Sequence, residues 1–378
     1  MSIRTLHDPI TSRLQSALHH ALVRRAAAAG ADPADAAAPT AELSAGHPKM
    51  HQVILAGARF TQHGAAETGI VETIEECATL AWQYVKARLE GNRVLAQQLH
   101  DEIKFSECDP LWAEAITTYE EFVHSGNTIP YITLAPGTGV IPVGGTLNVA
   151  LVADWATGTQ TALNVLAQAV AMDPDVVIHL GDIYYSGTPT ESQTYFYQGV
   201  QGVLQQAGKT MGTGPGDVRV FTLAGNHDMY SGGTGYYAVI KQLGQPASYF
   251  CLQNDDWQIV CLDTGYNDRD PFTVISNITS LTDDQIVWLN DLMANADGRS
   301  TLFLSHHQLY SGVGPVGQSQ VGGKTINWGI NPALYGQLQT VLGRVAAWIW
   351  GHEHNTVAFD AVAGLPPGRC VGSGAIPM

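Results

Sequence analysis

Six short apolar runs in the second half of the chain constrain its fold more than any other feature. They are LNVALVAD, DVVIHLGD, VRVFTLAGN, WQIVCLDT, STLFLSHH and AAWIWGHEH. Segments with helical periodicity separate several of them, such as TDDQIVWLNDLM, which opens with Thr282 and Gln285 in capping-box spacing. Short apolar strands alternating with helices are typical of an α/β fold. Nearly every run ends in a residue that can bind a metal ion, and α/β sheets bind ligands at the carboxyl ends of their strands.

The first part of the chain has a different periodicity. Helical patterns such as ETIEECATLAWQYVKARLEGN and DPLWAEAITTYEEFVHSG extend over about the first 125 residues. The Pro- and Gly-rich passage LAPGTGVIPVGGT follows them and marks a boundary. The sequence therefore predicts an all-α N-terminal domain over residues 1–130, a linker over 131–145 and an α/β domain over 146–378.

The charge of the chain restricts its partners. Lys and Arg total 18 against 34 for Asp and Glu, and the resulting net charge of −16 repels nucleic-acid backbones and anionic membrane surfaces. We therefore expect no nucleic-acid partner and no membrane partner, and an anionic substrate would need a local positive centre. The N-terminal stretch lacks the apolar core of a signal peptide, which predicts a cytoplasmic location.

Oxygen and imidazole donors stand where the apolar runs end. In chain order they are Asp154, Asp182, Asn226, His227, Asp228, His306, His352 and His354. Carboxylate and imidazole together suit iron, manganese or zinc, and one carboxylate can bridge two ions. The pattern therefore indicates two metal ions rather than one.

Taken in order, these residues resemble the calcineurin-like metallophosphoesterase superfamily, whose pattern is Asp, Gly-Asp, Gly-Asn-His-Asp/Glu, His and Gly-His-x-His. The resemblance covers residues 146 to 360. Most members place a His two residues after the first Asp, where this chain has Ala156. A Gly-Asp-x-x-Tyr pattern places Tyr185 three residues after Asp182 instead. That exchange resembles the purple acid phosphatase-like branch, in which the Tyr binds ferric iron.

The resemblance implies two packed β-sheets flanked by helices and a dinuclear centre. Fe(III) is expected at one site and a divalent ion (Fe, Mn or Zn) at the other. The implied ligands are Asp154, Tyr185 and His354 for Fe(III), Asn226, His306 and His352 for the divalent ion, and Asp182 as the bridge.

The resemblance also implies a reaction, with residues 146–378 as the catalytic domain. A metal-bound hydroxide would hydrolyse small phosphomonoesters, and His227, with its ring oriented by Asp228, would protonate or stabilise the leaving oxygen. Phosphodiesters such as cyclic nucleotides are the alternative substrates. A catalytically inactive binding module is a second alternative, for which missing ligands or a missing His227 would be expected.

Some assignments stay open at this point. Tyr185 can bind the metal ion or only donate a hydrogen bond, and either His306 or its neighbour His307 can be the ligand. The segment SGVGPVGQSQVGGKTINWG, which follows them, predicts a mobile active-site loop. Three tyrosines after Asp228 can line a pocket or simply pack: Tyr230, Tyr236 and Tyr237.

Overall fold

A computed structural model describes residues 83, 87, 91–95, 98–99, 118–119, 121–271, 277–361 and 364–375. The chain divides into two compact units, Met1–Thr117 and Thr118–Met378. Most of the predicted all-α domain lies outside the described residues, and the domain bounds stay a prediction. None of the helices in the described part of the chain has the length and apolar character needed to cross a membrane.

The described strands of the second unit form two sheets and a separate hairpin. In chain order they are β1 (Val140–Pro142), β2 (Val149–Val152), β3 (Val176–His179), β4 (Arg219–Thr222), β5 (Phe250–Gln253), β6 (Trp257–Cys261), β7 (Ser300–Leu304), β8 (Gly317–Val321), β9 (Lys324–Trp328), β10 (Val345–Trp350), β11 (Thr356–Phe359) and β12 (Gly368–Val371). The larger sheet has the order β1-β5-β6-β7-β10-β12-β11, and the smaller has the order β2-β3-β4. All three strands of the smaller sheet are parallel, as are β6, β7, β10 and β12.

Helices connect these strands. They are α1 (Gln160–Val170), α2 (Pro189–Glu191), a π-helix (Ser192–Gln198), α3 (Gly199–Gln206), α4 (Asn226–Tyr230), α5 (Thr234–Leu243), α6 (Asp283–Ala294), α7 (Pro332–Leu338) and a 3₁₀ turn (Leu342–Arg344). At the start of α6 the Thr282 hydroxyl accepts the Gln285 N–H at 3.4 Å, as the capping spacing predicts. The Gln285 side chain does not complete a capping box. Its amide pairs with the backbone of Asp263 at 2.8 and 3.0 Å and so anchors the turn that follows β6.

The side-chain alternation of β3 explains the layered architecture. Successive strand residues point to opposite faces, so a strand between two layers is apolar on both. Val177 packs toward α1 and α3, whereas Val176 and Ile178 pack toward the larger sheet. The core between the sheets takes residues from both of them, among them Ala153, Phe221, Phe250, Leu252, Cys261 and Leu304. The predicted fold of two packed sheets flanked by helices is confirmed.

The long segment after β7 contains the β8–β9 hairpin. Gly322 and Gly323 connect its strands with φ of 58° and 76°. Two consecutive residues at positive φ form a two-residue turn whose twist matches that of the flanking strands. Glycine adopts this conformation at little cost. The predicted loop therefore has regular structure over Gly317–Trp328.

Candidate metal centre

The predicted site residues lie together at one edge of the two packed sheets. Each metal-ligand candidate lies within four residues of the end of a parallel strand, and parallel strands bring their carboxyl ends to the same edge. The strands concerned are β2, β3 and β4 of the smaller sheet and β7 and β10 of the larger. The metal-ligand candidates gathered in this way are Asp154, Asp182, Asn226, His306, His352 and His354.

The backbone at this edge is unusual. Six non-glycine residues in the described part of the chain have positive φ, and four of them are predicted ligands: Asp154 (51°), Asp182 (71°), His352 (66°) and His354 (49°). Left-handed backbone is costly for residues with a Cβ and persists where the surrounding structure imposes it. The concentration of left-handed residues at this edge indicates that the turns orient the ligand side chains at the expense of favourable backbone torsion angles.

Two glycines leave room for these side chains. Gly181 has φ of 102°, and a Cβ at that position would lie 2.6 Å from His306 Nδ1. A Cβ at Gly225 would overlap Asp182 Oδ1 and lie 2.8 Å from the Asp182 backbone nitrogen. The glycines of the Gly-Asp and Gly-Asn-His-Asp motifs are therefore required by close packing of the two turns.

The first set of donors, here called the Asp154 group, consists of Asp154, Tyr184 and His354. The Tyr184 hydroxyl lies 3.2 Å from Asp154 Oδ1 and 2.9 Å from His354 Nε2. It also lies 3.2 Å from Oδ2 of Asp182. Burial, with the two carboxylates, raises the pKa of Tyr184 well above its usual value.

The tyrosine of this group is not the one that the motif designates. The hydroxyl that meets the carboxylates belongs to Tyr184, the neighbour of the predicted ligand Tyr185. Tyr185 is buried, and its backbone N–H donates to Glu191 Oε1 at 2.5 Å while its carbonyl accepts from His227 Nδ1 at 2.7 Å. Tyr184 is thus a site residue that the motif did not identify.

The second set, here called the Asn226 group, consists of Asn226, His306 and His352. Asn226 Oδ1 lies 3.2 Å from His306 Nε2 and 3.1 Å from His352 Nδ1. The two ring nitrogens are 3.2 Å apart. Asp182 Oδ2 lies 3.4 Å from His306 Nε2, so this carboxylate contacts both groups.

The hydrogen bonds behind the Asn226 group show that its donor set fits a cation. His306 Nδ1 faces the Leu180 carbonyl at 2.9 Å, and a carbonyl can only accept, so this nitrogen carries the proton. Asn226 Nδ2 donates to the Tyr230 hydroxyl at 2.7 Å. When its ring is neutral, with the proton on Nδ1, His306 presents the lone pair of Nε2 to the amide oxygen of Asn226. A metal ion between them would satisfy both.

Electrostatics support the same fit. Burial alone would raise the pKa of Asp182, but the imidazoles of His306 and His227 hold it well below its usual range. Burial would lower the pKa of His306, yet the Asp182 carboxylate raises it to about 9. The buried carboxylates thus stabilise positive charge in the centre. Metal ions supply that charge without a proton.

His227 lies beside the donor groups and is not held as predicted. Its Nδ1 bonds the Tyr185 carbonyl, and its Nε2 lies 3.9 Å from Asp182 Oδ2. The Asp228 carboxylate instead accepts backbone N–H groups of Gly225 and Asp182 at 2.7 and 2.9 Å. Burial raises the pKa of Asp228 to about 8, against the effect of these donors. Asp228 therefore joins the two turns, and the Tyr185 carbonyl holds Nδ1 of the His227 ring.

Of the three tyrosines after Asp228, one contacts residues of the site and two belong to the hydrophobic core. Tyr230 bonds Asn226, and its ring lies 4.7 Å from that of His227. Tyr236 donates to the Thr222 carbonyl and Tyr237 to Ser248, and both are buried. For Tyr236 and Tyr237 the packing alternative is the one that their contacts favour.

Comparison with known proteins agrees with this geometry. A family model described as calcineurin-like phosphoesterase matches residues 147–356. A search of curated proteins finds no match. The matched range includes both donor groups and every strand that carries them.

Proposed function

This chain belongs to the calcineurin-like phosphoesterase family, and from that premise we propose that it is a phosphomonoesterase that works with two metal ions. Membership indicates metal-dependent hydrolysis of phosphoesters. The position of Asp182 carries the dinuclear part of the proposal, because its Oδ2 lies 3.2 Å from the Tyr184 hydroxyl and 3.4 Å from His306 Nε2. One carboxylate thus contacts both donor groups, as a bridging ligand must.

The two donor groups favour different ions. The Asp154 group offers carboxylate and phenol oxygens, which suit a hard and highly charged ion such as Fe(III). The Asn226 group offers two imidazoles and an amide oxygen, which suit divalent Fe, Mn or Zn. When bound, the ions supply positive charge that neutralises and polarises the phosphate oxygens. That local charge explains how a chain with a net charge of −16 can bind an anionic substrate.

His227 is the residue that we propose to assist the leaving group. Its Nδ1 faces a carbonyl, which can only accept, so this nitrogen carries a proton and the ring orientation is defined. Its Nε2 lies at the edge of the centre, 3.9 Å from Asp182 Oδ2. From this position a protonated ring can give a proton to the departing alcohol oxygen.

A comparison of two chromogenic esters tests the proposed function. Protein stripped of metal by a chelator should be inactive. After reloading with iron and zinc it should hydrolyse p-nitrophenyl phosphate faster than bis(p-nitrophenyl) phosphate. Faster turnover of the diester would identify a phosphodiesterase instead. A protein that binds two ions and hydrolyses neither ester would be a binding module.

His227→Ala should slow hydrolysis more for substrates with poor leaving groups than for substrates with good ones. A poor leaving group needs protonation, so hydrolysis of an alkyl phosphate should fall by about 10²-fold or more, whereas hydrolysis of p-nitrophenyl phosphate should fall far less. Metal content should stay at the wild-type value, because His227 belongs to neither donor group. Steady-state kinetics on both esters, with metal analysis of the same sample, make the measurement. Equal losses on the two esters would remove His227 from the acid role.

The visible spectrum of the iron-loaded, oxidised protein tests which tyrosine binds Fe(III). We expect Tyr184→Phe to lose the phenolate-to-iron absorption band and Tyr185→Phe to keep it, because the Tyr184 hydroxyl lies among the carboxylates. Phe retains the ring, so packing around these buried residues is preserved. Iron content is measured alongside as the control. The opposite result would restore Tyr185, and a colourless ferric wild type would exclude both tyrosines.

A further inference from the structure

His307 has a role that its neighbour His306 does not share. Its Nδ1 lies 2.9 Å from the Thr264 hydroxyl, and its Nε2 lies 3.0 Å from Asp268 Oδ2. Its backbone N–H also donates to the Thr264 hydroxyl, at 3.0 Å. Both ring nitrogens are therefore bonded to protein groups, although His307 lies close enough to His306 and His352 to form a metal-binding cluster with them.

A neutral His307 ring can satisfy both of these hydrogen bonds. The Thr264 hydroxyl accepts from the His307 backbone and has one hydrogen of its own, which it can donate to Nδ1. Nε2 then carries the ring proton and donates it to the Asp268 carboxylate. A neutral ring with two such bonds cannot rotate without breaking both of them. His307 is therefore locked in orientation.

The locked ring packs against the Asn226 group. Its centroid lies 4.4 Å from that of His352, with the two planes at 46°. It lies 4.7 Å from the His306 ring, with the planes at 89°. His307 thus fills the space next to both imidazoles of this group. It is 4% exposed and packs against these two donors inside the protein.

Asp268, in turn, is held in place. Its Oδ1 accepts from Asn277 Nδ2 at 2.8 Å, and its own backbone N–H donates to the Gly265 carbonyl at 2.9 Å. It is buried with 2% exposure. Thr264 lies in the turn after β6 that Gln285 anchors through Asp263. Both partners of the His307 ring nitrogens are therefore themselves held in place by hydrogen bonds within the fold.

We propose that His307, held by Asp268 and Thr264, is a positioning residue that sets the ring orientation of His352 and thereby the affinity of the Asn226 group for its metal ion. The inference rests on the proposed dinuclear function. Residues that orient metal ligands typically change metal affinity 10- to 100-fold when they are mutated, as a rough guide. The Asp154 group does not touch His307 in the described contacts, so its affinity should not change.

Zinc titration of the metal-free full chain tests this inference. Wild type should bind two equivalents in calorimetry, and His352→Ala identifies which binding step belongs to the Asn226 group. Asp268→Asn and Thr264→Val should each weaken that step about tenfold or more and leave the other step unchanged. The visible spectrum of the Co(II)-loaded variants should change as well, because it reports ligand geometry.

A matched variant controls for general loss of structure. His179→Gln removes another buried imidazole, whose described contacts are Thr222, Trp155 and Phe196. It should lower the Tm and leave both zinc affinities unchanged. Unchanged affinities in Asp268→Asn and Thr264→Val would overturn the inference, and so would equal weakening of both steps. A wild type that binds a single equivalent would instead overturn the dinuclear function, and the inference with it.

Discussion

Asp182→Asn should release metal from both donor groups and abolish nearly all phosphoester hydrolysis. The Asp182 carboxylate contacts the Tyr184 hydroxyl on one side and His306 on the other, so neutralising it removes the charge that both ions would share. Loss of metal-ion stabilisation costs several kcal/mol, which corresponds to a rate loss of about 10³-fold or more. Metal analysis after dialysis and turnover of p-nitrophenyl phosphate make the measurement.

The fold should tolerate this change. Asp182 has φ of 71°, and Asn is among the few residues that adopt left-handed backbone readily. An Asn oxygen can still accept the His227 backbone N–H, which lies 3.0 Å from Asp182 Oδ1. Asp175→Asn, at the other end of β3, is the matched control and should keep metal and activity. Full metal content and wild-type turnover in Asp182→Asn would refute the bridging role.

Gly225→Ala should also release metal, as Asp182→Asn does, but through a steric clash alone. Its backbone, with φ of −99°, is accessible to any residue, but a Cβ there would overlap the Asp182 carboxylate. The turn must therefore shift or Asp182 must move away from the donors. We expect metal content to fall and the free energy of unfolding to drop by about 1–3 kcal/mol, as is usual for overpacking. Metal analysis and urea unfolding measure the two effects.

Gly202→Ala provides the comparison for this variant. Gly202 lies within α3, and an added Cβ there meets no atom within 4 Å. Alanine in a helix interior is more stable than glycine by about 0.5–1 kcal/mol, so this variant should be more stable and keep its metal. If Gly225→Ala retained two ions with wild-type affinity, the close packing of the two turns would not matter for the centre.

The strand-end pattern predicted the fold and the gathering of the donors from sequence. Parallel strands end at one edge, so residues that follow such strands meet there even when they are far apart in the chain. Asp154 and His352 are 198 residues apart, yet the His352 backbone N–H donates to Asp154 Oδ2 at 2.9 Å. The resemblance predicted over residues 146 to 360 agrees with the family match over 147–356.

Other residues of the site were not predicted from the sequence. The Asp263-Thr264 pair also ends an apolar run, and the same reasoning could have marked Thr264 as a site residue. No such signal existed for Asp268, which lies farther along an irregular segment. The resemblance implied that Asp228 orients the His227 ring, whereas the Asp228 carboxylate turns toward the Gly225 and Asp182 backbone.

The sequence by itself determined which strand ends meet at the centre and in what order along the chain, because strand periodicity and topology depend on residue type and spacing. Only the tertiary structure decided which atoms meet there. Tyr184 and Tyr185, like His306 and His307, are adjacent in irregular turns, where no two-residue alternation assigns them to faces. The direction of each depends on backbone torsion and on partners distant in sequence, such as Asp154 for Tyr184 and Asp268 for His307. Asp154 and Tyr184 follow neighbouring strands of the smaller sheet, and Asp268 and His307 follow neighbouring strands of the larger, so these partners come together only when the strands of each sheet pair.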